Sequence, residues 1–352
     1  MAVAELEWSM ANLTTQSFSH GCVAHFVDWI RTPDDCEETI RGQADEIRDR
    51  IKGQAKDDGL TVVSTPASGS SAKRTGLRRH LRGESVVEGQ DVDVAFVVSP
   101  ITIDGEILDE LLGRFGKYAA ASYPRTTRRR TKSSIRLEFA DTKLAYDLVP
   151  MLSVAGKTEE QILLRSDGER RRTSVQKHTA FVRSRTERSE KSPGRVKFNE
   201  CERLLKWWRE FRQVESHVIT EVPTILIELL AAKAFDNEGV MPTYTETLAR
   251  WFSWLAHAVR MREMIDFTDF RGAGTEISGA IWTVLDPVNA ANNVVPKSWS
   301  NLQISELADW FASGRDQLAR TITCDLQGDE TRCLDLLADL FGSPIRHHHE
   351  EE

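Results

Sequence analysis

Apolar residues recur along this chain in two rhythms. From Cys36 to Lys52 polar residues dominate, with Ile40, Ile47 and Ile51 seven and four apart; this predicts a helix with one apolar stripe, capped by Asp34 or Asp35. A short β-prone run, Thr61-Val-Val-Ser64, is followed by a turn-rich segment, Thr65-Pro-Ala-Ser-Gly-Ser-Ser71. Asp91-Val-Asp-Val-Ala-Phe-Val-Val98 is β-branched and apolar and predicts a strand ended by Ser99-Pro100. Ile103 to Phe115 predicts a helix, capped by Asp104. Ser134-Ile-Arg-Leu-Glu-Phe139 alternates, Ala140-Asp-Thr142 is a polar turn, and Lys143 to Leu152 alternates again, predicting a β-hairpin. From about Ser174 the rhythm changes, and helices are expected over Glu200–Phe211, Thr224–Phe235 and Thr245–Met264.

Strands that give way to long helices predict an α+β chain of two lobes: a mixed β-sheet core and a C-terminal helical lobe. The expected division is 1–195, 196–345 and a tail at 346–352 that is set aside. At 352 residues the chain is long enough to bury two cores. The tryptophans Trp207, Trp208, Trp251 and Trp254 fall at helical spacings and are expected to be core. Cys201, ahead of an apolar helix, is expected to be packed rather than reactive.

A hydrophobic fraction of 40% and a charged fraction of 28% are ordinary for a globular chain. No apolar run approaches the ~18 residues that span a bilayer, and the N-terminus lacks the shape of a signal peptide, so the expectation is a cytoplasmic protein away from membranes. Five cysteines without a CxxC pair fit a reducing compartment and argue against a zinc ribbon. The net charge of −8 hides an asymmetry: residues 121–197 carry 19 Lys+Arg against 9 Asp+Glu. Runs such as Arg128-Arg129-Arg130 and Arg170-Arg171-Arg172 are either solvated loop charges or part of a basic cleft. A phosphate-rich ligand suits that pattern better than a long nucleic acid.

Three pieces carry candidate chemistry. On a strand, residues two apart share a face, so Asp91 and Asp93 project together with Cα atoms roughly 6–7 Å apart, while Val92, Val94 and Phe96 turn to the core. Two carboxylates held so close call for a hard divalent cation such as Mg²⁺. Asp147 lies among apolar residues on the second hairpin strand, on the face of Ala145 and Val149. A lone acid there is either exposed on an edge or paired. If its strand lies beside the first, three carboxylates converge and can hold two ions about 3.5–4 Å apart, as phosphoryl transfer uses. Gly69-Ser70, in the turn about twenty residues earlier, allows close backbone approach and offers a hydroxyl to phosphate oxygens.

Taken in order, Gly69-Ser-Ser-Ala-Lys-Arg-Thr75, Asp91-Val-Asp-Val-Ala-Phe96 and Tyr146-Asp-Leu-Val-Pro150 resemble the signature of the nucleotidyltransferase β superfamily. The resemblance is strongest to the branch of bacterial cGAS/DncV-like nucleotidyltransferases and oligoadenylate synthetases. Leu204-Leu-Lys-Trp-Trp208 resembles the helix whose lysine grips the donor triphosphate, here Lys206. Val222-Pro-Thr-Ile-Leu-Ile-Glu-Leu-Leu230 resembles the next helix, which places a hydroxyl, here Thr224, on the phosphates. Asp286-Pro-Val-Asn-Ala-Ala-Asn-Asn293 is similar to a late DPxxPxNN element, so the matches run from about residue 60 to 295. Departures accompany them. Ile225 stands where the family often has a stacking aromatic, which shifts that role to Tyr123 or Tyr146, and a basic stretch (Arg78, Arg79, His80, Arg82) follows Gly-Ser as a mobile or solvated loop.

The resemblance implies a bilobal fold with the active site in the cleft. It implies Mg²⁺ (two ions, Mn²⁺ as a substitute) on Asp91, Asp93 and Asp147, and donor triphosphate on Gly69, Ser70, Lys206 and Thr224. The implied reaction joins nucleoside triphosphates, ATP among them, into a cyclic di- or trinucleotide messenger in bacterial antiphage signalling, with regulatory partner proteins from a defence operon. The alternatives are a template-independent nucleotidyltransferase acting on RNA ends, of CCA-adding or poly(A) type, and an idle nucleotide-binding module. The basic 121–197 region favours the first and the intact acids weigh against the second.

Overall fold

The computed structural model describes residues 17–83, 85–100, 107–165, 168–192 and 196–347. Contacts divide the described residues into two compact units, each assembled from separate stretches of sequence: residues 32–78 with 88–181, and residues 17–31 and 79–87 with 182–347. This differs from a single break at 195/196, because the first helix, Phe18–Ile30, packs among the late helices. Phe26 meets Trp207 edge to face at 5.3 Å and lies 5.8 Å from Phe341. Arg185 likewise draws its helix to that group by ion pairs to Asp236 and Asp269.

The first unit is built on a seven-stranded mixed sheet. Val62–Ser64 pairs antiparallel with Gln90–Val98, which runs parallel to Leu144–Val154; Ile135–Phe139 and Thr127–Arg130 follow in order. The far half of Leu144–Val154 pairs with Lys157–Leu164, which carries Arg170–Thr173 at its edge. The hairpin predicted across residues 140–142 is present, with Phe139 opposite Leu144.

One sheet face is apolar because alternate residues of the central strands are. Val92, Val94, Phe96, Tyr146 and Leu148 are buried there under two helices, Asp34–Asp57 and Ile107–Ser122, which contribute Ile40, Ile47, Ile51, Leu111 and Phe115. The Asp34–Asp57 helix begins earlier than predicted. Its capping position is Pro33, and Asp34 and Asp35 stand inside the first turn, where carboxylates favour the positive end of the helix dipole. The expected cap Asp104 lies outside the described residues. The other helix continues past Phe115 to Ser122 because Tyr118 and Ala119 extend its buried stripe.

The helical unit has an aromatic core. Trp207, Trp208 and Trp251 are buried; Trp208 lies 4.7 Å from Phe252 and stacks on Phe311 at 5.1 Å. Trp254 is only partly buried. A Cβ on Gly314 would come within 2.6 Å of the Phe252 ring, so a glycine is what lets Asn301–Leu326 close on Tyr244–Met261. Cys201 is fully buried in Phe198–Glu215, and burial pushes its thiol well above the ordinary range, as a packed cysteine requires. Asp286 ties its own turn, accepting from the Val288 amide at 2.7 Å and the Asn292 side chain at 2.9 Å, which gives the late element a structural task.

His20 supplies a pH test of this unit. Its ring stacks on Tyr244 at 5.1 Å, and its Nδ1 accepts the Tyr244 amide at 3.3 Å. Burial lowers its pKa against the opposing charges of Asp325 and Glu246. The unfolded chain therefore takes up that proton more readily, and the contribution fades as pH falls below about 6.5. Between about pH 7.5 and 5.5, wild type is expected to lose a few tenths to about 1 kcal/mol more than His20→Gln in denaturant titrations. Parallel losses in both proteins would refute this.

Candidate active site

The acids meet because the sheet register brings them together. Parallel pairing sets Asp93 directly opposite Asp147 and Asp91 opposite Ala145, so all three aspartates share the face away from the apolar core. Asp147 stands on an interior strand, flanked on both sides, rather than on an exposed edge.

The turn ahead of the acid strand is fitted against Asp93. Ala67 bridges to Val94, and the Ser68 hydroxyl donates to the Asp93 carbonyl at 2.8 Å. Gly69 follows with φ +73°, and a Cβ there would lie 2.2 Å from the Asp93 carboxylate oxygen Oδ2. Only glycine tolerates both that dihedral and that approach. The turn closes where the Thr75 amide donates to the Ser70 carbonyl at 2.9 Å. A Cβ on Gly76 would lie 2.8 Å from Gln90 Nε2 and 3.4 Å from Ser70 Oγ. Gly69 and Ser70 thus stand beside the acids, as the sequence order predicts.

The electrostatics of the face are uneven. Asp93 is exposed to solvent, yet protein crowds its carboxylate: that desolvation first, then the charges of Asp147 and Asp91, push it up to about 6 against Lys73 and Arg136. Asp147 is fully engaged, accepting from the Ser134 hydroxyl at 2.7 Å and from Arg136 at 2.9 Å. The second terminal nitrogen of Arg136 bonds Asp91. Burial works against the Arg136 charge, yet the bond to Asp91 and the neighbouring carboxylates outweigh it and raise its pKa.

Ser134 and Arg136 are the residues that sequence reasoning missed. The signal was present: the hairpin that sets Phe139 opposite Leu144 also sets Arg136 opposite Asp147. The three carboxylates share face and register, but among the described residues no three His, Cys, Asp or Glu side chains form a closed metal-binding group. Instead the guanidinium of Arg136 bridges Asp91 and Asp147. Hard oxygen donors gathered around a raised carboxyl still suit a divalent cation.

Other expectations need correction. Tyr146 cannot stack on a base from the acid face: as the neighbour of Asp147 it points the opposite way, is fully buried, and donates to Gln43 at 3.0 Å. Tyr123 packs edge to face on Phe139 at 5.5 Å, on the same core side. The basic stretch after Gly-Ser forms a two-stranded ribbon, Arg79–Arg82 with Ser85–Glu88, rather than a loop. Arg79 lies over Trp29 at 4.8 Å, and His80 contacts Glu210 at 2.9 Å. The arginine runs at 128–130 and 170–172 form edge strands with carboxylate neighbours: Arg129 pairs with Glu138, Arg130 with Asp109 and Arg171 with Glu169.

In the helical unit, Lys206 and Thr224 sit on helices that pack together, Phe198–Glu215 and Thr224–Glu238. The Lys206 ammonium is buried and paired to Glu202 at 2.6 Å, one helical turn away. Thr224 is exposed and accepts from Arg209.

Residues 23–185, which include the Gly-Ser turn and all three aspartates, match the Second Messenger Oligonucleotide or Dinucleotide Synthetase domain. That region of the chain is similar to the cGAS/DncV-like nucleotidyltransferases. The matched domain is by its description a synthetase of oligonucleotides or dinucleotides, and the mixed sheet followed by helices is an α+β architecture. A cyclic AMP-AMP-AMP synthase of Escherichia coli (strain MS 115-1) is 28% identical over 290 residues, covering 80% of this chain and 85% of that protein. The solved structure of E. coli MS115-1 CdnC with ATP has the same fold, with TM-score 0.76 and 24% identity over 93% of this chain and 98% of that one. CdnC in complex with HORMA-deltaN matches at TM-score 0.75 and 24% identity, over 92% and 97% of the two chains. Among the described residues no helix is long and apolar enough to cross a membrane.

Proposed function

We propose that this chain is a metal-dependent synthase that joins nucleoside triphosphates into a cyclic di- or trinucleotide second messenger, releasing pyrophosphate, in CBASS-type antiphage signalling. The observation that carries the reading is the register of Asp93 against Asp147, with Asp91 on the same face. The similarity to a cyclic AMP-AMP-AMP synthase supports the product class, and the CdnC complex with ATP supports ATP among the substrates. The CdnC complex with HORMA-deltaN supports a regulatory protein partner.

In this reading Asp91, Asp93 and Asp147 hold Mg²⁺, two ions in full occupancy, with Mn²⁺ as a substitute. The bound metal would neutralise donor phosphate charge and lower the pKa of the acceptor hydroxyl. Gly69 leaves room for phosphate beside Asp93, and the Ser70 hydroxyl donates to a phosphate oxygen. Lys206 and Thr224 bind the triphosphate once Lys206 exchanges Glu202, and Thr224 exchanges Arg209, for phosphate oxygens. Asp147 orients the acceptor ribose hydroxyl and takes or relays its proton. The hydroxyl oxygen bonds to the α-phosphorus as the bond to the β-phosphate oxygen breaks, and pyrophosphate carries off the electron pair. Positioning and charge neutralisation supply most of the acceleration.

The test is incubation with Mg²⁺ and the four nucleoside triphosphates, with mass spectrometry of phosphatase-resistant products. Wild type is expected to yield a cyclic oligonucleotide without added RNA, and Asp91→Ala/Asp93→Ala to yield none. Synthesis that persists in the double variant, or product that appears only as extension of added RNA, would overturn the proposal. The pairing of the arginine-rich edge strands with carboxylates gives the RNA-end alternative no support.

A further inference from the structure

Arg136 stands among the three aspartates that the proposed function assigns to metal. Its strand, Ile135–Phe139, pairs with the Asp147 strand so that Arg136 is directly opposite Asp147. One terminal nitrogen reaches Asp147 Oδ2 at 2.9 Å and the other reaches Asp91 Oδ1, so the guanidinium spans two strands. The side chain is only 15% exposed, against 50% for Asp91, so the fork is held in place rather than waving in solvent. Its Nε contacts Glu138 at 3.2 Å, and Glu138 also receives Arg129.

Like charges facing one another across a sheet destabilise it, and three aspartates on adjacent strands are such a case. A guanidinium has the planar fork needed to serve two carboxylates at once, which an ammonium lacks. A hard divalent ion draws on the same carboxylate lone pairs. A guanidinium seated on Asp91 and Asp147 neutralises their charge and fills part of their coordination space, so it competes with a metal for both.

We propose that Arg136 is a resident counter-ion: it holds Asp91 and Asp147 in place before metal arrives, is displaced toward Glu138 or substrate phosphate when metal binds, and thereby sets the metal affinity of the site. Arg136 is a positioning residue in this account, acting through the carboxylates. The inference rests on the metal-dependent reading above, and its test separates the two.

Mn²⁺ alone serves as the probe, followed by titration calorimetry and by the loss of the free-ion electron paramagnetic resonance signal, without nucleotide. Arg136→Gln is expected to bind Mn²⁺ about tenfold more tightly than wild type, the competitor having been removed. In EDTA the same variant is expected to melt about 4 °C lower, because the carboxylates repel unopposed, and saturating Mn²⁺ should close that gap. Arg136→Lys keeps the charge but not the fork; it is expected to gain about threefold in Mn²⁺ affinity and to melt near wild type, so it carries the test if Arg136→Gln fails to fold. Mn²⁺ affinity that is unchanged or weaker in both variants, with wild type still binding, would overturn the counter-ion role alone. Absence of Mn²⁺ binding in wild type and variants alike would overturn the metal reading and this inference with it.

Discussion

Asp93→Asn is expected to remove product formation by about a thousandfold or more while leaving the fold as firm as wild type. The two halves of that result have one cause. Asp93 carries its charge against partial desolvation by the protein around it and against Asp147 and Asp91, which is why its carboxyl is pushed up to about 6. A neutral amide of nearly the same shape relieves that penalty, so the melting temperature of the metal-free protein should hold or rise. The amide also contributes no negative charge to a cation, so the activity that the strained carboxylate supports should vanish. Such an exchange of stability against activity is common where a site concentrates like charges. Activity measured across added Mg²⁺ and thermal melting in EDTA together check it. A marked drop in melting temperature would make Asp93 a structural group, and activity recovered at high Mg²⁺ would make it a minor ligand.

Gly69→Ala is expected to cost nearly as much activity by a different route. The new methyl would be placed 2.2 Å from Asp93 Oδ2 and on a backbone at φ +73°, so either the turn or the carboxylate must shift. Left-handed strain for a residue with a Cβ is about 1–2 kcal/mol, and a displaced acid loses its place opposite Asp147. A hundredfold loss of turnover, roughly, with about 1–3 kcal/mol of destabilisation by denaturant titration is the expected pair. Gly42→Ala is the control. Gly42 sits exposed within Asp34–Asp57 with nothing near its would-be Cβ, so alanine there should stabilise by about 0.5–1 kcal/mol and leave turnover alone. Full activity in Gly69→Ala would show that the close approach has no catalytic consequence.

Much of the site was legible because strand alternation and hairpin register are local properties. The faces of Asp91, Asp93 and Asp147 follow from the period of two, and the turn at 140–142 gives the partner strand. The parallel pairing that sets Asp93 against Asp147 is not local: it joins strands separated by the Ile107–Ser122 helix, and the family resemblance supplied what pattern could not. The same alternation that placed Asp147 also excludes Tyr146 from its face, so the stacking expectation for Tyr146 contradicted a rule already in hand. Arg136 was readable from the hairpin register but reads as one more charge among many in a basic stretch. Lys206 is singled out by its resemblance to a phosphate-gripping position, yet Glu202 one turn earlier is equally visible in the sequence, and i,i+4 spacing on a helix brings the two charges together. What no pattern announced was that Phe18–Ile30 belongs with the late helices, since its apolar stripe names no partner.

The placement of the tryptophans has a practical consequence. Among the described residues every tryptophan falls in the helical unit and none within residues 32–78 or 88–181, where Tyr118, Tyr123 and Tyr146 are the aromatic phenols. Emission excited selectively through indole therefore reports first on the helical unit, and no indole lies in the sheet that carries the aspartates. Tyrosine signal, or the far-ultraviolet dichroism of strands, must be followed beside it before any unfolding curve is assigned to the catalytic half.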